Sequence, residues 1–136
     1  MSLSMNESMI HQRELLDLEL DDATELIAQI RDADRRRENP DAGLAWFVQF
    51  GPDAHEGLVV GIRGTAGAVQ WYSATELLQP AHGTNSAPVD YFTGPTGDHY
   101  PISPGGEIPI ENAFEVLREF AATHRLPGCV EWRADL

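Results

Sequence analysis

The sequence predicts an α+β domain: a largely antiparallel sheet of five to six strands with two helices packed on one of its faces. Three observations carry this reading. Short apolar runs punctuated by Gly, Pro and Asp fill the middle of the chain, as strands and turns do. Two stretches with helical spacing flank them, and each has a single apolar stripe, so both must lie against the same layer. The links between the first three runs are too short for a crossover, which makes sequential strands antiparallel neighbours. With 136 residues, 42% of them hydrophobic, the chain can build one core and not two ordinary domains. Residues 13–136 are expected to form that single domain, behind a disordered start at residues 1–12.

In chain order, Leu16, Leu18 and Leu20 alternate with Asp17 and Glu19 and predict a half-buried strand. Asp22 stands three residues before Glu25, the spacing of a reciprocal helix cap. The helix that follows turns Ala23, Leu26, Ile27, Ile30 and Ala33 inward and ends in Arg35, Arg36 and Arg37, where cations suit the negative end of the dipole. Asn39-Pro40-Asp41-Ala42-Gly43 stops it. Strands are then predicted at 44–50, 58–63 and 68–73, with a turn at Gly64 to Gly67. Residues 74–87 show no clear period beyond a helical turn at Ala74 to Leu78. Val89 to Thr93 reads as a fourth run. The Gly- and Pro-rich stretch from Thr96 to Gly106 reads as irregular surface loop with a short edge strand near Tyr100. Pro109 opens a second helix whose stripe is Ile110, Ala113, Phe114, Leu117, Phe120 and Ala121. After Pro127-Gly128, Cys129 to Arg133 alternates as a terminal strand.

Parity assigns the faces. Trp46, Val48, Phe50, Leu58, Val60, Ile62, Val69, Trp71, Val130 and Trp132 share the helix side. Phe47, Gln49, Arg63, Gln70, Tyr72, Cys129, Glu131 and Arg133 share the other, a mixture of aromatic, polar and charged groups that suits a partner-facing surface or a solvated one.

Charge narrows the function classes. The chain has 22 acidic residues against nine basic ones, all Arg, for a net charge of −13. Between Asp41 and Leu117, nine carboxylates face Arg63 alone. Such a field repels nucleic acid and anionic membrane and speeds encounter with a basic partner. Basic patches with interleaved aromatics, the signature of nucleic-acid binding, are absent. No apolar run approaches the roughly 20 residues that span a bilayer, and the start lacks a signal-peptide pattern, so a cytoplasmic location is expected. A single Cys129, read as a small buried hydrophobe, agrees with a reducing compartment.

Catalytic spacing is weak. None of the five His residues stands at metal-ligand spacing, and Asp53-Ala54-His55-Glu56 lacks a second convergent motif, so no metal or cofactor is expected. The glycines of Gly61 to Gly67 precede a strand and not a helix, which assigns them to hairpin chemistry and not to phosphate binding. Asp98, His99 and Cys129 supply the alternative: a small-molecule-binding or enzymatic domain with His99 as base and Cys129 as nucleophile.

Gly128-Cys129-Val130-Glu131-Trp132, following a helix that opens at Ile108-Pro109 and runs through Val116-Leu117-Arg118-Glu119-Phe120, resembles the end of the immunity-protein family numbered first among those of bacterial polymorphic toxin systems. Gly57 to Gly64, Trp71-Tyr72, Val89-Asp90-Tyr91-Phe92 and Pro101 to Pro109 follow that family's order of elements, so the resemblance covers residues 14–133. The loop from Thr96 to Gly106 departs from the family pattern in its Pro and Gly content, and no acidic residue directly precedes Pro101. The resemblance implies a non-enzymatic cytoplasmic protein that binds and blocks a cognate toxin domain, in many cases a nucleic-acid deaminase, through that toxin's basic surface. Acidic occlusion of the active site is the mechanism expected. Residues expected to meet the partner are Asp90, Asp98, Glu107 and Glu131 for charge and Tyr72, Tyr91 and Tyr100 as aromatic anchors. Glu131 has a second reading, as a buried pair with Arg63.

Overall fold

The computed structural model describes residues 23–49, 56–93 and 97–134. The strand expected at 16–20, the Asp22 cap, the tail at 1–12 and Phe50 lie outside the described residues. Among the described residues two helices, α1 (Thr24–Arg35) and α2 (Ile110–Thr123), accompany seven strands: β1 (Gly43–Gln49), β2 (Gly57–Arg63), β3 (Ala66–Tyr72), β4 (Leu77–Pro80), β5 (Tyr91–Thr93), β6 (Glu107–Pro109) and β7 (Trp132–Ala134). All seven strands join one sheet, and every pairing is antiparallel except that of β5 with β1. The predicted class is therefore the observed one, with one or two strands more than expected.

The core of the sheet is the β1–β2–β3 meander. Its hairpin between β2 and β3 closes on Gly64-Thr65, and Gly64 sits at φ 66°, a conformation that glycine adopts without steric cost. Alternation along these strands sends Leu44, Trp46, Val48, Leu58, Val60, Ile62, Val69 and Trp71 to one face. Both helices cover that face: α1 lies on β1 and β2, and α2 lies on β2 and β3. The stripes follow the predicted spacing: Ala23 at the N-cap with Leu26, Ile27 and Ile30 of α1, and Ile110, Ala113, Phe114, Leu117, Phe120 and Ala121 of α2, are buried, whereas Ala33 is only partly so and Val116, outside the predicted stripe, is buried too. Trp71 and Phe120 meet edge to face with centroids 5.9 Å apart. Across the helix pair, Arg31 bonds Glu111 at 2.9 Å and lays its guanidinium over the Phe114 ring at 4.6 Å. Pro109 occupies the N-cap position of α2 and so precedes the first helical turn it was expected to begin.

Three expectations are corrected. Residues 77–80 form strand β4 and not a continuation of a helical turn: the Ser73 hydroxyl accepts the backbone N–H groups of Thr75 and Glu76, which closes a turn at 73–76 and frees the chain to extend beside β3. The terminal strand is confined to Trp132–Ala134, paired with β4. Cys129 precedes it, exposed, because the Glu119 carboxylate draws the N–H groups of Gly128 and Cys129 toward the end of α2. Third, the Gly- and Pro-rich stretch is not surface loop throughout, since Ile102 is fully buried.

That last correction follows from topology. β5 sits beside β1 at one edge, whereas β6 sits beside β3, on the edge that β6 shares with β4. The chain between β5 and β6 must cross the sheet, and it does so over the face opposite the helices. There Ala45, Val59 and Ala68 of the meander cluster with Tyr91 and Ile102, flanked by Phe47, Tyr72, Val89 and Tyr100. The bed is made of small residues. A Cβ at Gly43 would come within 2.4 Å of the Tyr91 ring and one at Gly61 within 2.7 Å, so the ring lies flat only because both positions are glycine.

Candidate functional site

The crossing segment is a narrow ribbon held at both ends. Val89 and Ile102 exchange backbone bonds at 3.0 and 2.8 Å, and Tyr100 N–H donates to the Tyr91 carbonyl at 2.7 Å. Beyond it, Asn85 accepts from the Glu107 N–H at 2.8 Å while its amide donates to Ser103 at 3.0 Å. Gln79 and Arg133, neighbours across β4 and β7, both donate to the Pro104 carbonyl, at 3.1 and 3.2 Å.

Under the ribbon lies a polar lock. Glu107 is 2% exposed, and its carboxylate accepts two bonds of 2.8 Å from the Arg63 guanidinium and one of 2.7 Å from the Tyr91 hydroxyl. Burial pushes the Glu107 carboxyl up, but the bonds from Arg63 and Tyr91 with the adjacent positive charge outweigh it and hold the group below its ordinary range. The bond to Glu107 drives the Arg63 guanidinium further up, and burial and then the same carboxylate do so for the Tyr91 hydroxyl. The lock is thus a carboxylate, a guanidinium and a neutral phenol, joined by three short charge-assisted hydrogen bonds.

Further along the same face the ribbon leaves the sheet partly open. Phe47, Tyr72 and Tyr100, each half-buried, form an aromatic patch there. The Phe47 ring stands 5.3 Å from Tyr100 at 76° and 6.2 Å from Tyr72 at 51°. Tyr100 donates its hydroxyl to Gln70, Tyr72 is hydrogen-bonded by Gln49, and burial raises the Tyr72 phenol above its ordinary value. Two exposed carboxylates stand beside the patch in the chain: Glu56 precedes Gly57, over which the Tyr72 hydroxyl lies, and Glu76 closes the turn that follows Tyr72.

The residues expected to meet a partner separate into two groups. Tyr72 and Tyr100 share the patch; Asp98 is exposed on the ribbon next to it, and its N–H is held by the Thr93 hydroxyl. Asp90 is exposed too, bonded to His99 at 2.8 Å, and Glu131 is exposed on the far side of the sheet, bonded to His82 at 2.7 Å. Tyr91 and Glu107 are corrected: both are buried beneath the ribbon, where the carboxylate holds the fold and offers no surface. The pairing of Arg63 with Glu131 is corrected as well, since Arg63 takes Glu107. Phe47, which was not among the expected residues, joins Tyr72 and Tyr100 in the patch, and its parity with Gln49 and Tyr72 was the available signal.

The alternative trio is not assembled. His99 turns to Asp90 and stacks on Phe92 with centroids 5.2 Å apart. It lies at the β5 edge, whereas Cys129 precedes β7 at the opposite edge, a separation of about 24 Å at the usual strand spacing. Burial and the Glu119 carboxylate push the Cys129 thiol up to about 11, the opposite of what a nucleophile needs. Among the described residues no three His, Cys, Asp or Glu side chains group as metal ligands, and no helix is long and apolar enough to cross a membrane.

The family profile of immunity protein Imm1 matches residues 15–134, and the chain belongs to that family. None of the curated proteins compared with the chain matches it. Membership assigns it an immunity function against a toxin.

Proposed function

We propose that this member of the Imm1 family neutralises a cognate toxin that acts on nucleic acid, in the first instance a deaminase, by docking its outer sheet face over the toxin's basic substrate groove. The observation that carries this reading is the charge of that face. Glu56, Glu76, Asp90 and Asp98 are exposed around it, while the one cation on the outer side of the meander, Arg63, is neutralised internally by Glu107. A toxin that holds a nucleic-acid backbone needs a positive groove, and an acidic surface of this kind is drawn into it and competes with the phosphates. The half-buried rings of Phe47, Tyr72 and Tyr100 supply the desolvated centre that acidic residues alone lack. No covalent step is required, because excluding substrate suffices, and the protein acts without being an enzyme in the cytoplasm where the toxin would otherwise reach its target.

Co-expression with the toxin domain encoded beside the gene tests this. The protein should rescue growth and co-purify with the toxin, and association should slow as ionic strength rises from about 0.01 M to about 0.15 M, a Debye-length change from about 30 to 8 Å. A protein that neither rescues nor co-purifies is not acting in this way.

A further inference from the structure

We propose that the aromatic patch is a seat for a single cationic side chain, an arginine of the protein partner, held over the inclined rings of Phe47 and Tyr72, with Glu56 and Glu76 near by in the chain. The proposal rests on the neutralisation reading only in naming the toxin as the source of that arginine. Three features of the patch argue for a cation and against a purely apolar anchor.

The first is geometric. The Phe47 and Tyr72 centroids are 6.2 Å apart with their planes inclined at 51°, so one cation can stand within about 6 Å of both ring faces at once. Tyr100 meets Phe47 in a T-shaped contact. The second is that the phenol groups are already engaged with Gln70 and Gln49, which fixes the rings and leaves π faces, not hydroxyls, as what the patch offers. The third is electrostatic. Neither Phe47 nor Tyr72 has a cation over it among the described residues, although the protein does build such a contact where it can, with Arg31 over Phe114 on the helix side. Arg63, the one guanidinium on this face of the meander, is tied to Glu107. Glu56 and Glu76, exposed next to the Gly57 and Leu77 positions that pair with Tyr72, have no side-chain partner among the described residues, so the chain beside the patch carries uncompensated negative charge. Guanidinium suits the place better than ammonium because its flat, weakly hydrated face stacks on rings while its edge reaches carboxylates.

The test needs no toxin to begin. The full chain, labelled for aromatic NMR, is titrated with a Gly-Arg-Gly amide and separately with the citrulline analogue, which keeps the shape and loses the charge. Saturable shifts of the Phe47 and Tyr72 ring resonances with the arginine peptide, weakened about tenfold or more with citrulline, are expected. Equal response to both peptides, or arginine shifts that spare these rings, overturns the proposal. Phe47→Leu keeps apolar volume and should abolish the ring-specific response. Glu56→Gln with Glu76→Gln, both at exposed positions, should weaken it without altering the thermal midpoint. With the toxin domain, wild-type rescue together with at least tenfold weaker binding by Phe47→Leu supports the seat, and rescue with undiminished binding removes it while the neutralisation reading stands. Failure of the wild type to rescue removes the neutralisation reading, and the peptide titration still decides the seat.

Discussion

The two faces of the sheet are covered by different means. On one, two helices bury continuous apolar stripes against Trp46, Val60, Val69 and Trp71, and the contact is side chain against side chain. On the other, a ribbon of irregular chain lies on glycines and alanines and is fastened by Glu107, Arg63 and Tyr91. The helix face therefore carries most of the buried apolar area, in one continuous core. The ribbon face depends on a few specific bonds, and it is the one that leaves aromatic surface within reach of a partner. An immunity protein has reason to be built this way: the first face supplies stability, and the second can present a shaped, acidic surface that backbone and small residues hold in place.

The contrast predicts that the largest loss of stability comes from the helix side. Phe114→Ala removes a ring that is fully buried and carries Arg31 on its outer side, and urea unfolding should show a loss of about 3–5 kcal/mol. The loss should be global, with amide exchange speeding up on both faces together. Were the ribbon to loosen alone, the assignment of this core as the common foundation would be wrong.

Glu107→Gln sharpens the comparison from the other side. The side chain of Arg63 is 31% exposed, so the guanidinium left behind can recover some hydration, and the cost should be about 2–3 kcal/mol, less than for a fully buried pair. Exchange should accelerate first at the amides of Tyr100 and Ile102, which the lock holds in place. The same substitution alters the pH dependence. The Glu107 carboxyl lies below its ordinary value of 4.5 in the folded protein, so its contribution is complete above that value. It is lost as pH falls from there through the lower folded value. Wild type should lose stability across that window more steeply than the Gln variant, and parallel curves would mean that the pair does not bias folding.

Third in size is Gly61→Ala. Its Cβ would stand 2.7 Å from the Tyr91 ring and 2.9 Å from the Leu44 carbonyl oxygen, and one of those is backbone that cannot turn aside. A cost of about 1–2 kcal/mol in the thermal or urea midpoint is expected. A neutral result would show that the ring can lift, and that the ribbon rests less closely on the sheet than its contacts imply.

The same division explains what was legible in the sequence. Helix stripes and the meander are encoded in local periods, and Leu26, Ile30, Phe114 and Leu117 declare themselves within a few residues of one another. The outer face is encoded in an absence of bulk: Gly43, Ala45, Gly57, Val59, Gly61 and Ala68 alternate through the three strands at period two. Gly43 and Gly61 read locally as turn chemistry or weak strand, because Tyr91, for which they make room, lies 30 or more residues away. Glu107 reads as a partner-facing charge, but its burial depends on Arg63, 44 residues earlier, and no spacing rule links the two. Strands β4, β6 and β7 were missed or misplaced for a simpler reason, since three or four residues are too few to show a period.

The smallest expected effect bears on Glu131, the residue of the terminal segment most open to a partner. Its carboxylate bonds His82 at 2.7 Å, with side chains 77% and 78% exposed, and a pair so solvated stabilises by about 0.5 kcal/mol or less. Glu131→Gln should therefore leave the urea midpoint almost unchanged. That makes it an informative probe of the interface, because any change in toxin affinity it causes cannot be a folding effect. Glu131 lies beside Ala81, beyond the β4 end of the sheet, while the aromatic patch is centred on β1 and β3. If the partner is confined to the patch and the acidic chain beside it, affinity should change by less than about twofold, the scale of one distant, screened charge. A tenfold loss would extend the interface across β4 to the chain's end, and the docking surface would then be the whole outer side and not its open half.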